Sequence, residues 1–373
     1  MKVLITGAQG FIGKNLLLHL AERKDVEVVP FTRDNPTTDL PRLLDGVDVV
    51  FHLAGINRPQ DPQEFTRGNA DLTRALCQAI AARAAHRPIS VILTSSTQAA
   101  NDNPYGRSKQ AAERELFELQ RQHGTAVHVF RLPNVFGKWC RPNYNSAVAT
   151  FCHNIARELP IQVNDPAAPL TLVYVDDVIA RFVQLMDGAE ASTDAQGFAT
   201  LTPQYTTTVG EVAERIANFK ASRLTLVTDR VGTGLTRALY STYVSYLPPT
   251  DFAYAVPRHA DPRGVFVEML KTPDCGQFSF FTALPGVTRG GHYHHSKTEK
   301  FLVIHGQARF RFRQMLTGET HELHTDADAP QVVETVPGWT HDITNTGERD
   351  MVVMLWANEI FDRERPDTFA CPV

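Results

Sequence analysis

Residues 286–306 read GVTRGGHYHHSKTEKFLVIHG, and this stretch decides the fold of the C-terminal part of the chain. It sets His292, His294 and Glu299 on one short run, and PGWTHDITN at residues 337–345 adds His341. Side chains two apart on an extended segment point to one face, so His292 and His294 face together, and a hairpin can return Glu299 toward them. Neutral imidazoles with a carboxylate suit a divalent transition metal. The four residues form one candidate metal site, with Zn2+ the first choice and iron, nickel or manganese acceptable to the same donors. Four protein ligands would close a tetrahedron and mark a structural ion, whereas a five-coordinate ion could polarise a substrate oxygen. A solvated histidine-rich loop is the plainer alternative, and the combined spacing of the two runs favours the metal.

Both runs resemble the cupin motifs. The first is Gly286, five residues, His292-x-His294, four residues, Glu299, six residues, Gly306; the second is Pro337-Gly338-x-x-His341-x-x-x-Asn345. The surrounding sequence agrees with an all-β jelly roll. Short aromatic-rich strands are expected at residues 264–270, 276–283, 299–304, 308–315, 331–335 and 351–357, separated by turns. Tyr293, His295, Lys297 and Lys300 are the acid–base candidates near the site. Regular alternation puts Tyr293 and His295 opposite the metal face, and Lys300 reads equally as a solvated strand residue.

At 373 residues the chain exceeds one typical core, so two or three domains are expected. Hydrophobic content of 43% with 21% charged residues is ordinary soluble composition. A net charge of -4 without a long basic block argues against a nucleic-acid partner, although local arginines can still bind an anionic substrate. Cys77, Cys140, Cys152, Cys275 and Cys371 are scattered and lack CxxC spacing, which reads as reduced thiols in a cytoplasm. The opening MKVLITG enters a strand at once, and no run approaches the roughly 18 apolar residues of a membrane span.

That opening strand runs into GAQGFIG and then a helical pattern through Leu16, Leu17 and Leu20. Gly7 permits a tight turn, Gly10 lets backbone approach a pyrophosphate, and Gly13 allows close helix–strand packing. Helix-start N–H groups then face the phosphates. Strands at residues 27–31, 48–53, 89–94 and 126–132 alternate with helices at 63–85 and 105–122, which implies a parallel doubly wound α/β sheet of the Rossmann type. The second strand ends PFTRD, where an acidic residue would take the ribose 2′-OH and an arginine the 2′-phosphate. Arg33 therefore favours NADP, with Asp34 next door as the competing feature.

HLAG at residues 52–55 leaves room for the cofactor, with His52 read as a packed or hydrogen-bonded side chain. LTSST at residues 93–97 closes a strand, and Tyr105-Gly106-Arg107-Ser108-Lys109 opens a helix. Tyr105 and Lys109 share a helix face, and an ammonium there is expected to lower a tyrosine pKa that starts near ~10. Tyr105 could then exchange a proton with a carbonyl or alcohol oxygen, held also by the hydroxyl of Ser96 or, failing that, Ser95.

Together these features resemble the extended branch of the short-chain dehydrogenase/reductase superfamily, which acts on nucleotide sugars. Asn69, Arg131-Leu-Pro-Asn134-Val-Phe-Gly137 and Val173-Tyr-Val-Asp176-Asp177-Val match as well. The resemblance implies Ser96, Tyr105 and Lys109 as catalytic residues. It implies cofactor contacts from Gly7, Gly10, Phe11, Ile12, Gly13, Arg33, Leu53, Ala54 and Lys109. Asn134, Lys138 and Arg141 would bind substrate, the last two from the segment KWCRPNYNS. Thr97 and Tyr105 lie eight positions apart, a shorter loop than that branch has, so the sugar pocket is expected to differ.

The expected organisation is a reductase domain with a small substrate lobe at residues 1–245, a linker at 246–251 marked by Pro248-Pro249, and a cupin domain at 252–373. Within the lobe, residues 206–219 look helical, with Thr208 as N-cap ahead of Glu211. The fusion resembles the CapF-type capsular polysaccharide biosynthesis enzymes. That resemblance implies a cytoplasmic homodimer in which the cupin epimerises C3 of a UDP-4-keto-6-deoxy-2-acetamido sugar. The reductase then reduces C4 with NADPH, giving a UDP-2-acetamido-2,6-dideoxy-talose on the route to N-acetyl-L-fucosamine. Chemistry fixes that order, because a sugar C–H is acidic only beside a carbonyl. A single-activity reductase or 4-epimerase with an accessory cupin is the alternative.

Overall fold

The computed structural model describes residues 1–83, 88–261, 264–267, 269–270, 276–359, 362 and 364–373. The contacts divide the chain into two compact units, Met1–Val135 with Thr171–Thr206, and Phe136–Leu170 with Thr207–Val373. Among the described residues no helix is long and apolar enough to cross a membrane.

The first unit is built on a five-stranded parallel sheet in the order Glu27–Phe31, Lys2–Thr6, Val49–His52, Ser90–Ser96, Ala126–Leu132. Val3, Leu4 and Ile5 are fully buried, as are Val50 and Phe51, because helices cover both faces of a parallel sheet. The order reverses between the Lys2–Thr6 and Val49–His52 strands, and open α/β sheets bind ligands in the crevice at such a reversal. The helix expected at 63–85 is instead three pieces: Gln63–Phe65, a π-helical turn Thr66–Asp71, and Leu72–Ala81. Its expected end at Ala85 lies outside the described residues. The helix Pro104–His123 opens on an Asn103 cap and closes on Gly124 in the left-handed conformation, φ 65°.

In the second unit two five-stranded antiparallel sheets form a cupin-type sandwich. One runs Gln277–Ala283, Met351–Ala357, Glu299–His305, Gln331–Glu334, Ala253–Ala255; the other runs Thr320–Asp326, Gln307–Gln314, Trp339–Asn345, Thr288–Tyr293, Phe369–Ala370. Phe301 of the first sheet meets Phe310 of the second edge-on at 5.7 Å, so the inner faces share one aromatic core. Of the strand expected at 264–270, Gly264–Val267 is present and Glu268 lies outside the described residues, as does Cys275.

The expected linker at 246–251 is not where the contacts divide. The helix Val209–Thr225, which opens on the expected Thr208–Glu211 capping box, and the helix Gly234–Ser245 both belong to the second unit. Arg237 of the latter helix pairs with Glu359 at 2.7 Å, and Ser241 donates to the Ser296 carbonyl at 2.7 Å. Arg223 and Tyr240 reach the carboxylate of Glu334, at 3.7 and 3.3 Å. Lys300 also pairs with Glu334 and donates to Tyr254 Oη at 3.0 Å. The reading of Lys300 as a solvated residue is therefore corrected: it is 2% exposed and compensates a buried carboxylate.

Candidate functional site

The glycine turn lines a cavity of about 660 Å³ at the strand-order reversal, walled by Gly7, Gly10, Arg33, Leu53, Ala54 and Gly55 among others. Gly7 has φ 68°, and a Cβ there would lie 2.6 Å from the Ala54 nitrogen, so only glycine lets the two strand ends approach. At Gly13 a Cβ would fall 2.3 Å from the Gly7 carbonyl oxygen, the close packing expected of the third glycine. Phe11 and Ile12 open the helix Phe11–Ala21 and are not on the cavity wall. Arg33 is on the wall, whereas Asp34 is off it, its carboxylate bonded by the Thr32 hydroxyl at 3.3 Å.

Hydrogen bonds order the floor of this crevice in one direction. Ala54 N–H donates to Thr6 Oγ1 at 3.1 Å, and Thr73 Oγ1 donates to the Asn69 carbonyl at 2.7 Å. The Thr73 hydroxyl must then accept from His52 Nε2 at 2.8 Å, so the Thr6 hydroxyl donates to His52 Nδ1 at 2.7 Å. Both ring nitrogens are thus satisfied, and burial pushes His52 down to about 3. The residue is a structural linker, as its sequence context suggested. Asn69, in the π-helical turn, accepts from Ile56 N at 2.8 Å and donates to Ser108 Oγ at 2.9 Å, joining the crevice to the Tyr105 helix.

Ser96, Tyr105 and Lys109 gather at the end of the Ser90–Ser96 strand. Lys109 is 6% exposed and donates to the Thr94 carbonyl at 2.8 Å; a Cβ on Gly55 would sit 3.4 Å from its Nζ. Burial lowers the Lys109 ammonium to about 8, and the charge of Glu113 opposes that fall. Burial raises the Tyr105 phenol, with the Ser96 hydroxyl acting the other way. The expectation of a lowered Tyr105 pKa is therefore corrected: desolvation outweighs the Ser96 hydrogen bond, and the Lys109 ammonium is directed to Thr94. The two serines have different partners. Ser95 Oγ donates to Glu113 Oε1 at 2.5 Å, which leaves Ser96 as the hydroxyl beside Tyr105.

Of the substrate candidates, Asn134 donates to the Thr171 carbonyl at 3.2 Å and Arg141 lies over the Tyr144 ring at 4.9 Å. Lys138 is 1% exposed, its ammonium 5.5 Å from the Trp139 ring.

In the second unit His292 and His341 are register partners on adjacent strands, with ring centroids 4.7 Å apart. Glu299 does not return by a hairpin with the His292 strand: its strand lies in the opposite sheet, so the carboxylate reaches the histidines across the sandwich. One ligand atom from each of His292, His294, Glu299 and His341 lies within 4.8 Å of every other. The loop between the His292 and Glu299 strands, which carries His294, is held tightly. Asp367, lowered to about 2, accepts from the backbone nitrogens of His295, Ser296 and Lys297 at 2.8, 2.7 and 2.6 Å. Burial alone would raise its pKa; His295 leads the groups that overcome this.

The donor set fits a divalent ion. His294 Nδ1 donates to the Asp367 carbonyl at 2.5 Å, which turns Nε2 toward Glu299 Oε2, 3.0 Å away. Among the described residues neither ring nitrogen of buried His341 has a partner within 3.5 Å, and Nε2 stands 3.6 Å from Glu299 Oε2, an arrangement that a ligand between them would relieve. Burial lowers His341 and takes His292 down to about 3, so both imidazoles are in the neutral, metal-binding form. Burial opposes ionisation of Glu299, yet His294 and the neighbouring groups hold its carboxyl well below the usual range. Among the acid–base candidates, Lys297 Nζ lies 3.3 Å from Glu299 Oε1, whereas Tyr293 and His295 pack on Phe369 at 5.5 and 5.0 Å.

A glycine-turn crevice whose Gly55 neighbours Lys109, in one unit with Ser96 and Tyr105, fits a nicotinamide-dependent oxidoreductase. The chain belongs to the NAD dependent epimerase/dehydratase family, which it matches over residues 3–198. Residues 259–369 match the polysaccharide biosynthesis C-terminal domain. A relative from Pseudomonas aeruginosa, UDP-2-acetamido-2,6-beta-L-arabino-hexul-4-ose reductase, is 62% identical over 373 residues, covering 100% of this chain and 99% of the relative. The crystal structure of capsular polysaccharide assembling protein CapF from Staphylococcus aureus superposes with a TM-score of 0.67 at 41% identity, covering 100% of both chains. CapF with the inhibitor 3-isopropenyl-tropolone gives 0.62 at 37% identity, again over 100% of both chains.

The sequence missed the π-helical turn that aims Asn69, the Glu113–Ser95 bond and the Asp367 clamp. Only the spacing of Lys109 and Glu113, one helical turn apart, could have signalled any of these.

Proposed function

We propose that this chain is a bifunctional nucleotide-sugar enzyme that inverts C3 of a UDP-4-keto-6-deoxy-2-acetamidohexose and then reduces its C4 ketone with NADPH. The observation that carries the reading is that both residue sets are complete on one chain, whose whole length matches a UDP-hexulose reductase at 62% identity.

NADPH held along the glycine turn would supply the hydride for C4. Tyr105 delivers the proton to the C4 oxygen, and Ser96 holds that oxygen in place. Lys109, tied to Thr94, keeps positive charge beside the forming phenolate. Arg33 on the cavity wall, with Asp34 turned to Thr32, supports NADPH over NADH.

In the cupin, proton removal at C3 leaves negative charge on the C4 oxygen, since the ketone lies next to the reacting carbon. A divalent ion, Zn2+ by preference, held by His292, His294, Glu299 and His341 would supply Lewis acidity there or fix the sandwich. The inhibition of a CapF relative by a tropolone supports the metal, because its adjacent oxygens form a chelating pair. Lys297 is the acid–base candidate nearest the four ligands. Reduction at C4 then removes the ketone and traps the inverted C3.

A homodimer is part of the proposal, supported by Phe280 at 71%, Ile304 at 46% and Phe278 at 44% exposure on one outer sheet face. The functional test is NMR of the product formed with NADPH. An alcohol inverted at C3 supports both steps, and a reduced sugar with C3 retained contradicts the epimerase half.

A further inference from the structure

The segment from Gly137 to Arg141 reads on from the reductase strands, yet it lies in the second unit with the cupin sandwich. Trp139 there has φ 66°, a left-handed conformation that is costly for a residue with a bulky side chain. Such a conformation persists only where its surroundings over-determine it. The Tyr246 hydroxyl donates to the Cys140 carbonyl, and Asn143 N–H donates to Thr150 Oγ1 at 3.0 Å, pinning the turn on its C-terminal side.

What the conformation achieves is a contact. A Cβ on Gly338 would lie 2.6 Å from Trp139 Cζ2 and 3.2 Å from Cε2, so the indole occupies the space that glycine leaves open. Gly338, φ 83°, belongs to the turn that feeds the strand Trp339–Asn345, which carries His341. Its N–H donates to the His294 carbonyl at 3.0 Å. One glycine thus sets the entry of the His341 strand and anchors the backbone of His294.

We propose that Trp139 is a positioning residue for the four-ligand centre: its indole holds the Gly338 turn, and through it His294 and His341. The proposal rests on the metal reading given above. It places a residue from the candidate substrate segment, next to Lys138, against the turn that anchors the cupin ligands.

The test is zinc retention by the full-length protein, loaded with Zn2+ and challenged with the chromogenic chelator pyridylazoresorcinol. Trp139→Ala is expected to give up its zinc at about tenfold lower chelator concentration, the usual effect of removing an outer support of a metal ligand. Trp139→Phe, which keeps a ring over Gly338, is expected to retain zinc as the wild type does. Equal retention by Trp139→Ala and wild type would overturn the proposal. If Trp139→Ala does not fold, Trp139→Leu decides in the same way, with tenfold weaker retention supporting the role and unchanged retention overturning it. A wild-type chain that takes up no zinc is a separate result, and it would overturn the metal centre itself.

Discussion

Lys109 donates to the carbonyl of Thr94 at 2.8 Å, so the helix that carries Tyr105 is tied to the strand that ends in Ser96. A second brace lies one turn further on, where Glu113 accepts from Ser95 and takes both arms of Arg131 at 2.9 and 2.7 Å. Catalytic geometry here comes from cross-linking one strand end to one helix face.

The buried ammonium has a cost that pH reveals. With the folded pKa of Lys109 near 8, below its unfolded value of ~10.4, the unfolded chain binds more protons between those values. The penalty is therefore fully present below pH 8 and disappears as pH rises toward 10.5. Lys109→Met is expected to lower NADPH oxidation by about 10²-fold or more while raising stability by on the order of 1–3 kcal/mol at pH 7. Denaturant unfolding at pH 7 and pH 10 checks this, the gap between variant and wild type narrowing at the higher pH.

Tyr105→Phe removes the proton donor to C4 from the first unit, which does not include the cupin strands. NADPH oxidation is expected to fall by about 10²–10⁴-fold, with solvent-deuterium uptake at C3 unchanged. Stopped assays of both reactions on one preparation make the comparison, and loss of exchange would refute the assignment of the two steps to two sites.

Cofactor choice should follow Arg33. Losing one charge-assisted contact to the 2′-phosphate costs roughly 1.5–3 kcal/mol, so Arg33→Ala is expected to lower kcat/KM for NADPH about 10–100-fold and leave NADH nearly unchanged. Steady-state kinetics with both cofactors measures it, and an equal loss with NADH would remove Arg33 from the phosphate site.

His341→Ala should empty the cupin centre, because it removes one of the four converging donors. Elemental analysis of the purified protein is expected to show at least about tenfold less bound metal than wild type. Undiminished metal would place the ion elsewhere.

Much of this was legible in sequence because local motifs encode local geometry. GAQGFIG gave the turn, YGRSK gave a shared helix face, and the two histidine runs gave the four side chains that converge. The strand carrying His341, Trp339–Asn345, was not anticipated as a strand, since WTHDITN mixes polar residues that the sandwich buries completely. Glu299 crosses between sheets and Trp139 meets Gly338 from about 200 residues away. Such pairings depend on how the chain returns to itself, which motif spacing does not record. Paired prolines mark a break in regular structure, whereas contact units follow pairings such as Ser241 to Ser296.

The most direct test of the central claim is NMR detection of deuterium at C3 of a UDP-4-keto-6-deoxy-2-acetamidohexose incubated with the protein in D2O without NADPH. The two-step account predicts exchange under those conditions, followed on addition of NADPH by a C3-inverted alcohol in which exchange has stopped. Reduction by NADPH with no exchange at C3 would contradict it and leave a reductase with an accessory cupin.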